Sequence, residues 1–136
     1  MVSPPPRSPA RALIVDDDAN MSFMVEAMLE IMGLAADIAG NGRIASEMAT
    51  PGRYAVILMD IEMPEMDGLD ATKAIRAAED TTPVPIIGMT GHTIDGIRHL
   101  GRIAGMDDMI TKPFLIATLH AKLRAVCGDA LPLDDI

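Results

Sequence analysis

Aromatic residues and cysteine are scarce in this chain. Phe, Trp and Tyr make up 2% of the 136 residues, whereas Met occurs 12 times. A buried core therefore has to be built from aliphatic side chains, with the flexible thioether of Met filling irregular gaps. The single cysteine, Cys127, cannot form an internal disulfide, which favours a reducing compartment.

The sequence also lacks a long apolar run and a cluster of basic residues. No segment approaches the roughly 20 apolar residues needed to cross a bilayer. A proline-rich stretch occupies the N-terminus, where a secretory signal would have its apolar core. The formal net charge of −9 would repel nucleic-acid phosphates and anionic membranes. We therefore expect a cytoplasmic protein that binds neither nucleic acid nor membrane.

What is present is one domain of ordinary globular composition between two tails. The chain is 49% hydrophobic and 23% charged, and its length suits a single hydrophobic core. Residues 1–10 contain four prolines and are expected to form a disordered lead-in. Residues 11–128 form the domain, and residues 129–136 are expected to be a loose acidic tail.

Short apolar runs alternate with helical patterns along the domain. The runs are Ala12–Val15, Ala35–Ala39, Tyr54–Met59, Pro85–Met89 and Met109–Ile110. Continuous apolar character, as in the third run, is typical of a strand covered on both faces. The first helical pattern places Met21, Met24, Val25, Met28 and Met32 on one face. The repeated alternation predicts a doubly wound α/β fold with a parallel sheet and right-handed crossovers.

Further boundaries follow from residues that begin, end or weaken helices. Gly33 is placed to end the first helix, and Asn41 is placed to cap a second one that Pro51 stops. A predicted fourth helix, Thr93–Ala104, contains Gly96 and Gly101, each of which costs about 1 kcal/mol relative to Ala. We expect that helix to be labile.

Polar residues stand at the ends of four of the predicted strands. The first run ends in Asp16-Asp17-Asp18 and the third in Asp60, whereas the fourth ends in Thr90 and the fifth leads into Lys112-Pro113. In a parallel sheet of this kind the carboxyl ends of the strands form the ligand site. Each residue alone has a plainer explanation, such as helix capping by an acid of the Asp16–Asp18 triplet, but their joint placement indicates a site.

The chemistry of these residues suits phosphoryl transfer. Crowded carboxylates require a nearby cation, and Mg²⁺ binds one or two carboxylates together with water and phosphate oxygens. Lys112 supplies an ammonium group and Thr90 a hydroxyl for the phosphoryl oxygens. Phosphoryl transfer depends mainly on positioning and charge neutralisation, and a carboxylate can itself accept the group as an aspartyl phosphate.

Four segments in this order resemble the signature blocks of response regulator receiver domains of the CheY-like type. They are Leu13-Ile-Val-Asp-Asp-Asp18, Ile57-Leu-Met-Asp-Ile-Glu-Met-Pro-Glu-Met-Asp-Gly68, Pro85-Ile-Ile-Gly-Met-Thr90 and Gly105-Met-Asp-Asp-Met-Ile-Thr-Lys-Pro-Phe114. The resemblance spans nearly the whole domain, and the second block is most similar to receivers associated with hybrid histidine kinases. It implies a five-stranded (βα)5 flavodoxin-like sheet with strand order 2-1-3-4-5.

The resemblance implies a role for each matching residue at the acidic site. Asp60 would be the phospho-acceptor, and Asp17 and Asp60 would bind Mg²⁺ directly. Asp16 would bind the ion through water, and the backbone carbonyl of Glu62 would be a further ligand. The side chains of Glu62 and His92 would tune the lifetime of the phosphoryl group.

On the other side of the acceptor, the resemblance implies a set of phosphoryl-contacting and switch residues. Thr90 and Lys112 would contact the phosphoryl oxygens, Gly91 would be the small residue that follows Thr90, and the Lys112–Pro113 peptide bond would be cis. The family often has an aromatic switch residue at the position of Met109, and a thioether lacks the defined two-position swing of a ring.

The function implied is a signalling switch rather than an enzyme with external substrates. A sensor histidine kinase or a histidine phosphotransfer protein would phosphorylate Asp60. The face formed by the fourth helix, fifth strand and fifth helix would then bind a downstream protein target, with no DNA-binding output domain and the chain a monomer or weak dimer. The alternatives are a phosphate shuttle or sink, a phosphorylation-independent pseudo-receiver, and a Mg²⁺-dependent phosphohydrolase. For a hydrolase of haloacid-dehalogenase type, Asp16-Asp17-Asp18-Ala19-Asn20 departs from the expected motif.

Overall fold

The computed structural model describes residues 10–63, 66–79, 83–91 and 95–136. Within these residues the strands are β1 (Arg11–Val15), β2 (Ala35–Ala39), β3 (Val56–Asp60), β4 (Ile86–Thr90) and β5 (Asp108–Thr111). The helices are α1 (Ala19–Ile31), α2 (Gly42–Met48), α3 (Gly68–Ala78), α4 (Asp95–Ala104) and α5 (Ile116–Cys127). The strands pair in parallel in the order β2-β1-β3-β4-β5, which confirms the doubly wound flavodoxin-like fold.

Some predicted positions lie outside the described residues. They are residues 1–9 of the lead-in, together with Pro64, His92 and Thr93. Among the residues described, no helix combines the length and the apolar character that crossing a membrane requires.

Three strands continue one residue beyond the predicted apolar run. β3 was predicted as Tyr54–Met59, β4 as Pro85–Met89 and β5 as Met109–Ile110, but the strands end at Asp60, Thr90 and Thr111. Asp60 lies opposite Met89 and Thr90 lies opposite Thr111 in the ladder. The reason is that ladder pairing involves the backbone, so a polar side chain does not end it.

The core lies on both faces of the sheet. Ile14 of β1 packs with α1 and α5 on one face, whereas Leu13 and Val15 pack with α2 and α3 on the other. Alternate strand residues point to opposite faces, so two apolar layers require strands that are apolar throughout. Burial of each such Leu or Ile side chain contributes about 1.5–3 kcal/mol.

The first helix buries a narrower stripe than its Met spacing predicts. Val25, Leu29 and Met32 are fully buried, but Met24 is 41% exposed, so its predicted place on the buried face is wrong. Asp18 begins the helix by accepting from the backbone N–H of Asn20 at 3.0 Å. The helix ends at Ile31, and Gly33 follows its C-cap with a φ of 81°, in the left-handed region that glycine adopts easily.

The start of α3 packs directly against the end of β3. A Cβ atom on Gly68 would lie 2.1 Å from the backbone oxygen of Asp60, so only glycine fits there. Asp67 caps the helix by accepting from the backbone N–H of Asp70 at 2.9 Å. Asp67 and Gly68 thus hold the start of α3 against the backbone of Asp60, the candidate acceptor.

The acidic tail, expected to be loose, packs against the domain. Leu131 is 3% exposed and joins the core next to α1 and α5. The backbone N–H of Asp134 donates to the carbonyl of Met32 at 2.8 Å, and Asp135 pairs with Arg124 at 3.0 Å. Residues 131–135 therefore follow α5 back to the C-terminal end of α1.

Candidate active site

The parallel sheet gathers the predicted site residues at one edge. Asp16 and Asp17 follow β1, Asp60 ends β3, Thr90 ends β4 and Lys112 follows β5. All four strands run in the same direction, so their carboxyl ends meet at this edge.

Three carboxylates form a compact cluster. Asp16, Asp17 and Asp60 each offer an oxygen, and these atoms lie within 4.8 Å of one another. Asp16 and Asp60 are buried, whereas Asp17 is exposed to solvent. Asp18 does not join them, because its carboxylate caps α1 instead. The predicted acidic site thus comprises the first two residues of the triplet and Asp60.

The donor set of this cluster fits a hard divalent cation. Oδ1 of Asp16 accepts from the backbone N–H of Asp18 at 2.9 Å. Oδ2 of Asp16 is buried and makes no hydrogen bond to any residue that the structure describes. A buried carboxylate oxygen without a hydrogen-bond partner is costly, and an ion or its bound water would satisfy it. The carbonyl of Glu62 as a further ligand stays a prediction.

Lys112 places a positive charge beside the acceptor. Its Nζ donates to Oδ1 of Asp60 at 2.8 Å and lies 3.8 Å from Oδ2 of Asp16. Burial acts to lower the pKa of Lys112, but its hydrogen bond to Asp60 and the nearby acidic charges outweigh that effect and the pKa is raised. The ammonium group is therefore protonated at neutral pH.

The backbone around Lys112 fixes its position at the sheet edge. The peptide bond between Lys112 and Pro113 is cis, as the resemblance implies. The backbone N–H of Lys112 donates to the carbonyl of Thr90 at 2.6 Å, which joins the ends of β4 and β5.

The ionisation of Asp60 is perturbed by its surroundings. Burial raises its pKa from 3.8 to about 6, the negative charge of Asp16 acts in the same direction, and the hydrogen bond from Lys112 opposes both. Without a further cation, the charged form of Asp60 is thus less favourable than that of an exposed aspartate. A cation at this cluster would offset the negative charge of the carboxylates before a phosphoryl group adds more.

Thr90 and Gly91 both donate to the side chain of Glu62, a contact that the sequence analysis does not predict. The hydroxyl of Thr90 donates to Oε1 of Glu62 at 2.8 Å. The backbone N–H of Gly91 points to Oε2 of the same carboxylate at 3.5 Å. Glu62 was predicted to tune phosphoryl lifetime, but no sequence pattern indicates this contact, because the two residues belong to different strand ends.

Met109, at the position of the family's switch residue, points into the protein. It is 6% exposed and packs with the core on the α3 and α4 side of the sheet. A Cβ atom on Gly101 of α4 would lie 2.2 Å from its Cε atom. The absent side chain of Gly101 thus gives Met109 the space beneath α4.

The comparisons with known proteins agree with this geometry. A family model described as the response regulator receiver domain matches residues 12–124. This chain is a response regulator receiver domain. The family resemblance noted from the four sequence blocks is thereby confirmed over most of the chain.

The curated relatives of this receiver include regulators and a sensor protein. The chain is 35% identical over 116 residues to the transcriptional regulatory protein PrrA of Mycobacterium tuberculosis, covering 85% of this chain and 49% of the relative. It is 32% identical over 120 residues to the aerobic respiration control sensor protein ArcB of Escherichia coli, covering 85% of this chain and 15% of the relative. The chain thus spans about half the length of the regulators and a smaller part of the sensor protein.

Solved structures of receiver domains are similar over their whole length. The chemotaxis protein CheY4 of Vibrio cholerae has a TM-score of 0.81 at 32% identity, covering 88% of this chain and 99% of that one. The receiver domain of the sensor histidine kinase PA1611 of Pseudomonas aeruginosa has a TM-score of 0.80 at 36% identity, covering 90% and 100%. That receiver is described with a magnesium ion coordinated in its active site cleft.

Proposed function

We propose that this receiver accepts a phosphoryl group on Asp60 from a phosphohistidine donor, with Mg²⁺ bound by Asp16, Asp17 and Asp60. The observation that carries the proposal is the buried Asp60 carboxylate, with Lys112 Nζ at 2.8 Å and the oxygens of Asp16 and Asp17 beside it. Membership of the receiver family supports a sensor histidine kinase or a histidine phosphotransfer protein as the donor.

In the proposed transfer, an Asp60 oxygen forms a bond to phosphorus as the bond from phosphorus to the donor histidine breaks. The electron pair of the broken bond returns to the imidazole nitrogen. Lys112 then offsets negative charge on the acyl phosphate, and Thr90 and Gly91 supply hydrogen-bond donors for its oxygens. Bound Mg²⁺ would supply charge neutralisation for the reacting oxygens. The domain would catalyse only its own phosphorylation and dephosphorylation.

We further propose that the face formed by α4, β5 and α5 binds a protein target. Leu115, which precedes α5, is 74% exposed. Together with Arg98 of α4 and Lys122 of α5, it lines a groove of about 300 Å³. An exposed apolar side chain next to basic ones is typical of a protein contact surface, and here it occurs on a chain of net charge −9.

Phosphorylation by acetyl phosphate tests the proposed acceptor. We expect the intact mass of the protein to increase by one phosphoryl group in the presence of Mg²⁺, and not in EDTA. Asp60→Asn should abolish the adduct, whereas the exposed control Asp70→Asn should retain it. An adduct that survives in Asp60→Asn, or sustained turnover of acetyl phosphate without a labelled intermediate, would contradict the proposal.

A further inference from the structure

The carboxylate of Glu62 lies where it binds two donors that a phosphoryl group on Asp60 would need. Thr90 is 3% exposed, and its hydroxyl donates to Oε1 of Glu62 at 2.8 Å. The Gly91 N–H is 3.5 Å from Oε2, at the long limit of a hydrogen bond. Glu62 itself is exposed, so this contact lies at the solvent-facing mouth of the site and not in the core.

One donor cannot serve both anions at the same time. A threonine hydroxyl carries a single hydrogen, so Thr90 donates either to Glu62 or to a phosphoryl oxygen. The Glu62 carboxylate and a phosphoryl group on Asp60 would both lie near Lys112, and therefore near each other. Their negative charges would repel. Glu62 is close enough to Lys112 to help raise its pKa.

We propose that Glu62 is an internal competitor of the phosphoryl group, holding Thr90 and Gly91 in a resting arrangement that phosphorylation must displace. The proposal rests on the proposed function, because it assumes that Thr90 and Gly91 contact the phosphoryl group. In this arrangement Glu62 opposes occupation of the site by a phosphoryl anion.

Beryllofluoride with Mg²⁺ is a suitable probe, because it coordinates reversibly to a carboxylate oxygen and there mimics the phosphoryl group. Its apparent dissociation constant can be measured from amide NMR spectra of wild type, Glu62→Ala and Glu62→Gln. We expect Glu62→Ala to bind about threefold to tenfold more tightly, the gain expected when a competing charge-assisted hydrogen bond is lost. Glu62→Gln keeps an acceptor without the charge and should lie between the two. The control Glu47→Gln removes an exposed charge from α2 and should leave the affinity unchanged.

Two further measurements separate competition from a general effect of charge. In the metal-free protein, the Gly91 amide and Thr90 methyl resonances should shift in Glu62→Ala but not in Glu47→Gln. In a Thr90→Ala background, the affinity gain from Glu62→Ala should fall to less than half, because the contested hydroxyl is gone. A gain that persists undiminished would assign the effect to charge alone and overturn the proposal.

The outcomes also distinguish the inference from the proposed function. If wild type binds beryllofluoride and Glu62→Ala binds it equally or more weakly, the competitor role is wrong while the acceptor site stands. If wild type and all variants fail to bind beryllofluoride with Mg²⁺ present, both the proposed function and the competitor role are overturned.

Discussion

At the scale of single residues, the ionisation of Asp60 links site chemistry to stability. Its pKa is about 6 in the folded protein against an ordinary value of 3.8, chiefly because the carboxylate is buried. A raised carboxyl pKa means that the folded state binds a proton more tightly than the unfolded state. The charge of Asp60 therefore lowers the free energy of unfolding progressively as pH rises from about 4 to about 6.

We expect Asp60→Asn to become more stable relative to wild type as pH rises through this window, in EDTA. The relative gain should reach the order of 2–3 kcal/mol and stay constant above about pH 7, since one pKa unit corresponds to about 1.4 kcal/mol. Urea unfolding at several pH values measures the difference. A difference independent of pH, or one that grows on acidification, would show that burial does not penalise the Asp60 charge.

The adjacent acids Asp17 and Asp18 differ in role although they are neighbours in sequence. Asp17 belongs to the acidic cluster, and Asp18 caps α1 through the backbone N–H groups of Asn20 and Met21. We expect Asp17→Asn to weaken Mg²⁺ binding at least tenfold with little change in stability. Asp18→Ala should instead lower the free energy of unfolding by about 1 kcal/mol and bind Mg²⁺ nearly as wild type does. Calorimetric Mg²⁺ titration and urea unfolding of both variants test this, and the reverse pattern would contradict the assignment.

At the scale of elements, α4 rests on the side chain of Met109. Gly101 faces the Cε atom of Met109, and Gly88 of β4 faces its Cγ atom, at 3.2 Å from a built Cβ. The sequence alone indicates that Gly101 weakens the helix in which it lies. In the folded protein Gly101 has a second role, because the lack of a side chain lets α4 pack against β5 over the long, flexible side chain of Met109.

We expect the effects of Gly101→Ala and Met109→Ala on stability to be strongly coupled. In wild type, the new Cβ would displace Met109, and overpacking costs about 1–3 kcal/mol, more than the gain in helix propensity. In the Met109→Ala background the closest clash is gone, and the flexible side chain of Met106, whose Sδ lies 3.2 Å from the built Cβ, can shift into the space that Met109 leaves. Gly101→Ala should then stabilise by up to about 1 kcal/mol. Urea unfolding of the four proteins gives the coupling energy. Additive effects would show that α4 does not rest on Met109.

At the scale of the whole molecule, the C-terminal segment closes one side of the fold. Leu131 enters the core formed by α1, α5 and the sheet, and backbone bonding continues to Asp134. This docking connects the first and last helices, which are distant in sequence. The acidic composition of the tail suggests a loose segment, but the tail also contains two apolar residues that pack against the core, Leu131 and Leu133.

We expect Leu131→Ala to lower the free energy of unfolding of the whole domain by about 2 kcal/mol, the lower end for a buried Leu. Asp135→Ala is the control, because that side chain is 98% exposed and its pair with Arg124 lies in solvent. Denaturant unfolding should show a loss for the first variant and none for the second. Equal stabilities of the two variants would mean that the tail does not contribute to the fold.

The sequence by itself determined the fold and which residues form the acidic site. The strand–helix alternation requires two apolar layers around a parallel sheet, and such a sheet brings the carboxyl ends of its strands together. Asp16, Asp60, Thr90 and Lys112 therefore had to meet once the strands were identified, although the exact strand ends at Asp60 and Thr90 depended on backbone pairing.

Only the tertiary structure decided how these residues are connected. The Glu62–Thr90 bond, the inward side chain of Met109 and the docking of Leu131 join segments that are far apart in sequence. Local periodicity reports the face on which a residue lies, but not which distant partner its side chain reaches. These contacts depend on the packing of helices on the sheet, and packing is a property of the folded chain as a whole.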